Sequence, residues 1–210
     1  MSAVLQSIQT SATALAVLRE STADMYRTLD QNSCMTALML PDLQLERYAQ
    51  VLMRLYAIYR PLESALFDAE QVHGRVGSWY PKYHWLEDDL LMLSQQGMVS
   101  LCDLETVRPC GLTIGSRAEL AGCHYVLESA TLGGQMIAAC VRASLGQRAQ
   151  LAMQFLSGYG SDTHPRWGKT CQQIETALDT PKALFDACAK ARAVFALFIA
   201  GLAQRKLQSV

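Results

Sequence analysis

An all-α fold is what this sequence predicts, and three observations carry the prediction. Apolar residues recur at three- and four-residue spacing along almost the whole chain, alternating β-branched runs are missing, and the prolines and polar caps fall where helices would begin and end. With 210 residues, half of them hydrophobic, there is enough apolar material for one sizeable helical domain spanning 1–210.

The elements follow in order. Near the N-terminus LRESTADMYRTLD reads as a helix with Leu18, Thr22, Tyr26 and Leu29 on one face. Pro41-Asp42 opens a long helix that ends near His73-Gly74, and Pro61 inside it predicts a kink. Pro81 starts a shorter amphipathic segment, KYHWLEDDLLMLSQQG, with Gly97 as its C-cap. The stretch 98–115, with Pro109 and Gly111, is the least helical. Ser116 and Glu119 form an S-x-x-E capping box leading into a long apolar helix through Leu145, with Gly133-Gly134 in its middle. A short helix over 147–157, a polar turn, SGYGSDTHPRW, and a helix over 167–178 come next. Thr180-Pro181 opens a last helix, apolar nearly all round and therefore expected at the centre of the bundle.

Composition excludes several classes. A net charge of −1 without a basic block leaves no electrostatic footprint for nucleic acid. Seven cysteines, an odd number without CxxC pairs, point to reduced thiols rather than a disulfide frame or a zinc site. No stretch approaches a membrane span and no secretory leader is evident, so the expectation is a soluble, cytoplasmic protein.

The pair in SATLGGQM is the local anomaly, because each mid-helix glycine costs about 1 kcal/mol relative to alanine. The pair shares a face with Cys123, Val126, Ala130, Ile137 and Val141, so a flat apolar ligand could lie on the bare backbone; a close helix crossing would use the same residues.

GCHYVLESATLGGQMI, with LRESTADMYRTLD and LMRLYAIYRPLESAL, resembles the bacterial heme oxygenases, especially those that make biliverdin for bacterial phytochromes. The resemblance covers residues 15 to 200, with WLEDDLLML and the YG…W turn in the expected order. It implies a heme oxygenase-like bundle in which heme lies between a proximal helix and a glycine-kinked distal helix. Gly133 and Gly134 then match the distal pair, Ser129 stands where the family usually has another glycine, and Ala130 stands where many members carry Asp or Ser to organise water. Arg19 matches a propionate-pairing position, and Arg166 and Lys169 fall where the family places basic residues near the propionates. His124 corresponds to a propionate-facing tyrosine in some members.

The largest departure is Tyr26. It occupies the position of the family's iron-ligating histidine, followed at i+4 by Asp30, where a carboxylate commonly supports that ligand. A phenol titrates near 10 in water, so ligation would need the iron's charge to stabilise tyrosinate, as in catalase-type sites. The alternative is a tyrosine that fills space without ligating. His73 with Glu70 makes the chain's one E-x-x-H, but a di-iron site needs a second set, so no second metal is expected.

Three functions compete on this reading. The first is oxidative cleavage of heme to biliverdin, iron and CO, with an external electron donor. The second is a binding protein for heme or a bilin, and the third a pseudo-enzyme with a filled pocket acting through a protein partner.

Overall fold

The computed structural model describes residues 13–77, 79–100, 110–148 and 152–203. Eight α-helices are assigned among them: α1 (Ala14–Asp30), α2 (Ser33–Ala37), α3 (Leu45–His73), α4 (Tyr83–Gln95), α5 (Arg117–Leu145), α6 (Gln154–Ser157), α7 (Thr163–Ala177) and α8 (Pro181–Ala203). The predicted all-α class is observed, and the described residues contain no strand. None of the described helices is long and apolar enough to cross a membrane.

Several ends fall where their chemistry predicts. Ser116 Oγ accepts from the Glu119 N–H at 3.2 Å, while Glu119 Oε2 reaches back to the Gly115 N–H at 2.8 Å, one residue before the cap. Gly97 takes φ +73°; its N–H bonds to the Ser94 carbonyl and that of Met98 to Leu93, the double closure of a Schellman turn. Thr180 Oγ1 accepts from the Ala183 N–H at the start of α8.

Other boundaries move. The long second helix begins at Leu45, after a turn that includes Pro41-Asp42, and continues unbroken through Pro61. Pro61 has no N–H to offer the carbonyl of Ala57, but Ala57 is exposed and water can serve it. The helix expected over 147–157 is instead a 3-10 turn, Gly146–Arg148, and the four-residue α6. The next helix starts at Thr163 rather than 167. Half of the weakly helical 98–115 stretch, residues 101–109 with Cys102 and Pro109, lies outside the described residues.

α8 packs against α1, α3 and α5, as a central helix should. It is not buried all round, however. A single stripe, Ala187, Ala191, Val194, Phe195, Phe198 and Leu202, is buried, whereas Phe185 is 74% exposed. The close crossing lies at Gly122: a Cβ there would overlap the Ala187 carbonyl oxygen and stand 3.0 Å from its carbon, so α5 and α8 meet backbone to backbone.

α1 is fastened from two directions. Glu175 on α7 accepts from the Ala14 and Leu15 N–H groups at 3.0 and 3.1 Å, adding a carboxylate to the Thr13 cap. Arg192 on α8 grips Asp24 through both carboxylate oxygens, at 2.7 and 3.0 Å, and also donates to the Ser21 carbonyl. The guanidinium holds the Asp24 carboxyl down at about 2.

Candidate functional site

α1 and α5 both contribute to the lining of an apolar cleft that opens to solvent. Tyr26 and Leu29 come from α1; Val126, Ser129, Ala130, Gly134 and Ile137 come from α5 at the three- and four-residue spacing of one helix face. Leu55 and Tyr59 of α3, Phe155 and Leu156 of α6, and Phe195, Phe198 and Leu202 of α8 complete the lining with Met35. Tyr59 sets the aromatic packing, with Phe155 and Phe198 each edge-on to it at 5.1 and 5.2 Å.

The two glycines have different surroundings. A Cβ on Gly134 would approach the Leu156 carbonyl oxygen to 3.2 Å, so its bare backbone admits α6; a Cβ on Gly133 would meet nothing within 4 Å. Asp89 of α4 holds α6 in place, accepting from the Gln154 and Phe155 N–H groups at 2.8 and 3.0 Å. Burial raises the Asp89 carboxyl to about 7 despite those two donors.

Polar groups in the cleft are few. Tyr26 is 58% exposed and sits at its margin. Ser129 donates its hydroxyl to the Val126 carbonyl at 3.1 Å, within its own helix. Burial drives the Tyr59 phenol far above the ordinary tyrosine range.

The remaining sequence-predicted residues lie elsewhere. Gly133, Arg19, Asp30 and Lys169 are exposed and line no part of the cleft. Cys123 is buried, and burial pushes its thiol up to about 12, which leaves it inert. His124 is on the opposite face of α5, 1% exposed, with Nε2 3.4 Å from Glu70 Oε1. Trp79 Nε1 already donates to that oxygen at 2.7 Å, and neither imidazole nitrogen has a well-formed hydrogen bond. Burial lowers the His124 pKa, holding the ring neutral. Arg166 lies over the Tyr159 ring at 4.4 Å, in a separate recess.

Behind α5 runs a buried ionic cluster that no sequence motif announces. Lys82 Nζ meets Glu128 Oε1 at 2.5 Å, both side chains nearly inaccessible, and the Tyr159 hydroxyl donates to the same oxygen at 3.1 Å. Burial opposes the Lys82 charge, but Glu128, Tyr159 and Glu63 around it prevail and raise its pKa. Glu63 accepts from the Lys82 and Tyr83 N–H groups and so caps α4, while burial lifts its carboxyl to about 7.

The heme oxygenase family model matches residues 12–204. Among solved structures, the heme oxygenase of Leptospira interrogans aligns with a TM-score of 0.65 at 18% identity, over 90% of this chain and 98% of that one, a likeness of fold. No curated protein matches by sequence.

Proposed function

The chain belongs to the heme oxygenase family, and from that premise we propose that it binds heme in the cleft between α1 and α5 and opens it oxidatively to biliverdin, iron and CO, using electrons from an external donor. The carrying observation is that Tyr26 of α1 and Ser129, Ala130 and Gly134 of α5 line one apolar cleft. A planar, largely apolar macrocycle suits such a lining.

Tyr26 is the proposed iron ligand, in the place of a histidine. The lining offers four side-chain donor atoms, in Tyr26, Tyr59, Ser129 and Met35. The Tyr59 phenol is held protonated by burial, the Ser129 hydroxyl is used by Val126, and Met35 packs against the core, which leaves Tyr26. Asp30, exposed one turn beyond, and Arg19, on the open side of α1, are proposed to act at the ligand's edge from outside the lining. Heme supplies the redox chemistry when bound. The chain's own part is to hold the ring and keep water from its apolar face; an anionic oxygen at Tyr26 would favour ferric iron and so oppose the reduction that turnover requires.

A second reading, a heme or bilin binder without turnover, rests on one observation. With Ala130 apolar and the Ser129 proton donated to the Val126 carbonyl, the α5 wall offers one hydroxyl oxygen, free only to accept, for ordering water or relaying protons.

Hemin titration tests both readings. The expected result is a saturable Soret band with a phenolate-type ferric spectrum that Tyr26→Phe abolishes and Tyr26→His converts to an imidazole type. Unchanged spectra in both variants refute ligation by Tyr26, and no saturable binding refutes the assignment to heme. Reductant and oxygen then separate turnover from binding by whether biliverdin forms.

A further inference from the structure

Fifteen residues line the cleft, and every one of them is uncharged. Three carry a hydroxyl, Tyr26, Tyr59 and Ser129; burial holds the Tyr59 phenol protonated, and the Ser129 proton goes to the Val126 carbonyl. Among the described residues, then, the lining holds no cation that could meet an anionic substituent.

Cations that border the lining are engaged with this chain. Arg54, next to Leu55, donates to the Leu202 carbonyl at 2.9 Å and to Cys34 Sγ at 3.4 Å. Arg192, one turn before Phe195 on α8, holds Asp24 through both oxygens at 2.7 and 3.0 Å. Arg142, beyond Ile137 on α5, donates to the Ser157 hydroxyl at 2.9 Å. Arg19, at the ligand's edge, and Arg27 are exposed, and a pair made there is screened by water.

Heme carries its carboxylates at one edge of an otherwise apolar ring. Drawn into this lining, a carboxylate would lose its water and gain no cation, whereas each methyl or vinyl group covered by Leu55, Phe155, Phe195 or Phe198 is favourable. Both effects act in one direction: the apolar edge enters, and the carboxylates stay in solvent beyond the margin that Tyr26 marks with 58% of its surface exposed.

We propose that the cleft reads the apolar edge of the macrocycle and not its carboxylates, and therefore accepts uncharged, carboxyl-blocked tetrapyrroles as readily as heme; this rests on the heme reading above. Hemin and its bis-amide, in which both carboxylates are primary amides, are titrated into the full-length chain at low and high salt, with the Soret band as readout. Arg205 and Lys206 lie outside the described residues, and the full chain lets them take part. Expected are Kd values for the two ligands within about tenfold of each other, and a hemin Kd that salt changes by less than about tenfold, because solvent-exposed pairs contribute no more than that. A larger loss on amidation or with salt is the mark of carboxylates paired in a desolvated site, and overturns the proposal while leaving heme binding in place. Ala130→Trp, at an exposed position of the lining, fills the cleft and should weaken both ligands together by about tenfold or more, with far-ultraviolet circular dichroism checking the fold. Undiminished binding of both in that variant puts the site elsewhere and overturns the proposal. Saturable binding of neither ligand to the parent chain removes the heme reading itself, and this proposal with it.

Discussion

Three glycines on α5 offer a sharp test, because the same substitution should have three different outcomes. Replacing a mid-helix glycine by alanine gains about 1 kcal/mol of helix propensity wherever the added methyl meets nothing. Gly133 is such a site, with no atom within 4 Å, so Gly133→Ala should stabilise by about 0.5–1 kcal/mol. At Gly134 the methyl approaches the Leu156 carbonyl oxygen to 3.2 Å, and Asp89 keeps α6 from receding freely. Strain there offsets the propensity gain, and Gly134→Ala should range from neutral to about 1 kcal/mol destabilising. Gly122→Ala drives its methyl into the Ala187 backbone, where no rotamer can relieve the overlap, and should cost at least about 2–3 kcal/mol. Urea unfolding followed by far-ultraviolet circular dichroism measures all three, and in a domain of this size each kcal/mol moves Tm by roughly 2–4 °C. A destabilised Gly133→Ala, or a Gly122→Ala within about 0.5 kcal/mol of the parent, would refute this account of why α5 carries glycines.

Three further outcomes are expected. Lys82→Met strands Glu128 in the interior and should cost about 3–5 kcal/mol in urea unfolding, most of it recovered in Lys82→Met with Glu128→Leu; a single variant costing under about 1 kcal/mol contradicts the buried pair. Glu63 and Asp89 have carboxyls raised to about 7, so the folded state binds more protons than the unfolded chain between their ordinary range and pH 7. Their stabilising contribution is complete below about pH 4 and lost as pH rises through about 7; the decline in unfolding free energy from pH 5 to 8 should flatten in Asp89→Asn, and an unaltered slope counts against the assignment. Glu175→Ala removes the acceptor of two N–H groups at the start of α1 and should cost about 1–2 kcal/mol, read as a Tm loss that Glu175→Gln partly restores.

The helices were legible because their signals are local. Helical periodicity, the Ser116 to Glu119 box, Gly97 and Thr180-Pro181 all act within a few residues of where they are written. What escaped acts across the chain: Glu175 caps a helix 161 residues away, and Lys82 finds Glu128 at a separation of 46. The cleft was half legible. Tyr26, Ser129 and Gly134 share its lining, whereas Phe155 of α6 and Phe195 and Phe198 of α8 carry no motif of their own and enter the lining only through the packing of those helices. His124 and Arg166 were misplaced for one reason: side-chain direction around a helix, or after a turn of variable length, is not fixed by order in the sequence. The adjacent glycines could not be told apart, since what separates them is a backbone carbonyl from α6.

The support of α6 carries a thermodynamic corollary. A single carboxylate, Asp89, holds both N–H groups at the start of this four-residue helix, and the same helix supplies Phe155 and Leu156 to the cleft. Any guest that presses on those two side chains does work against the Asp89 contacts. Reciprocity then requires that occupancy alter the proton affinity of a group the guest never touches, and that pH alter the affinity for the guest by the same factor.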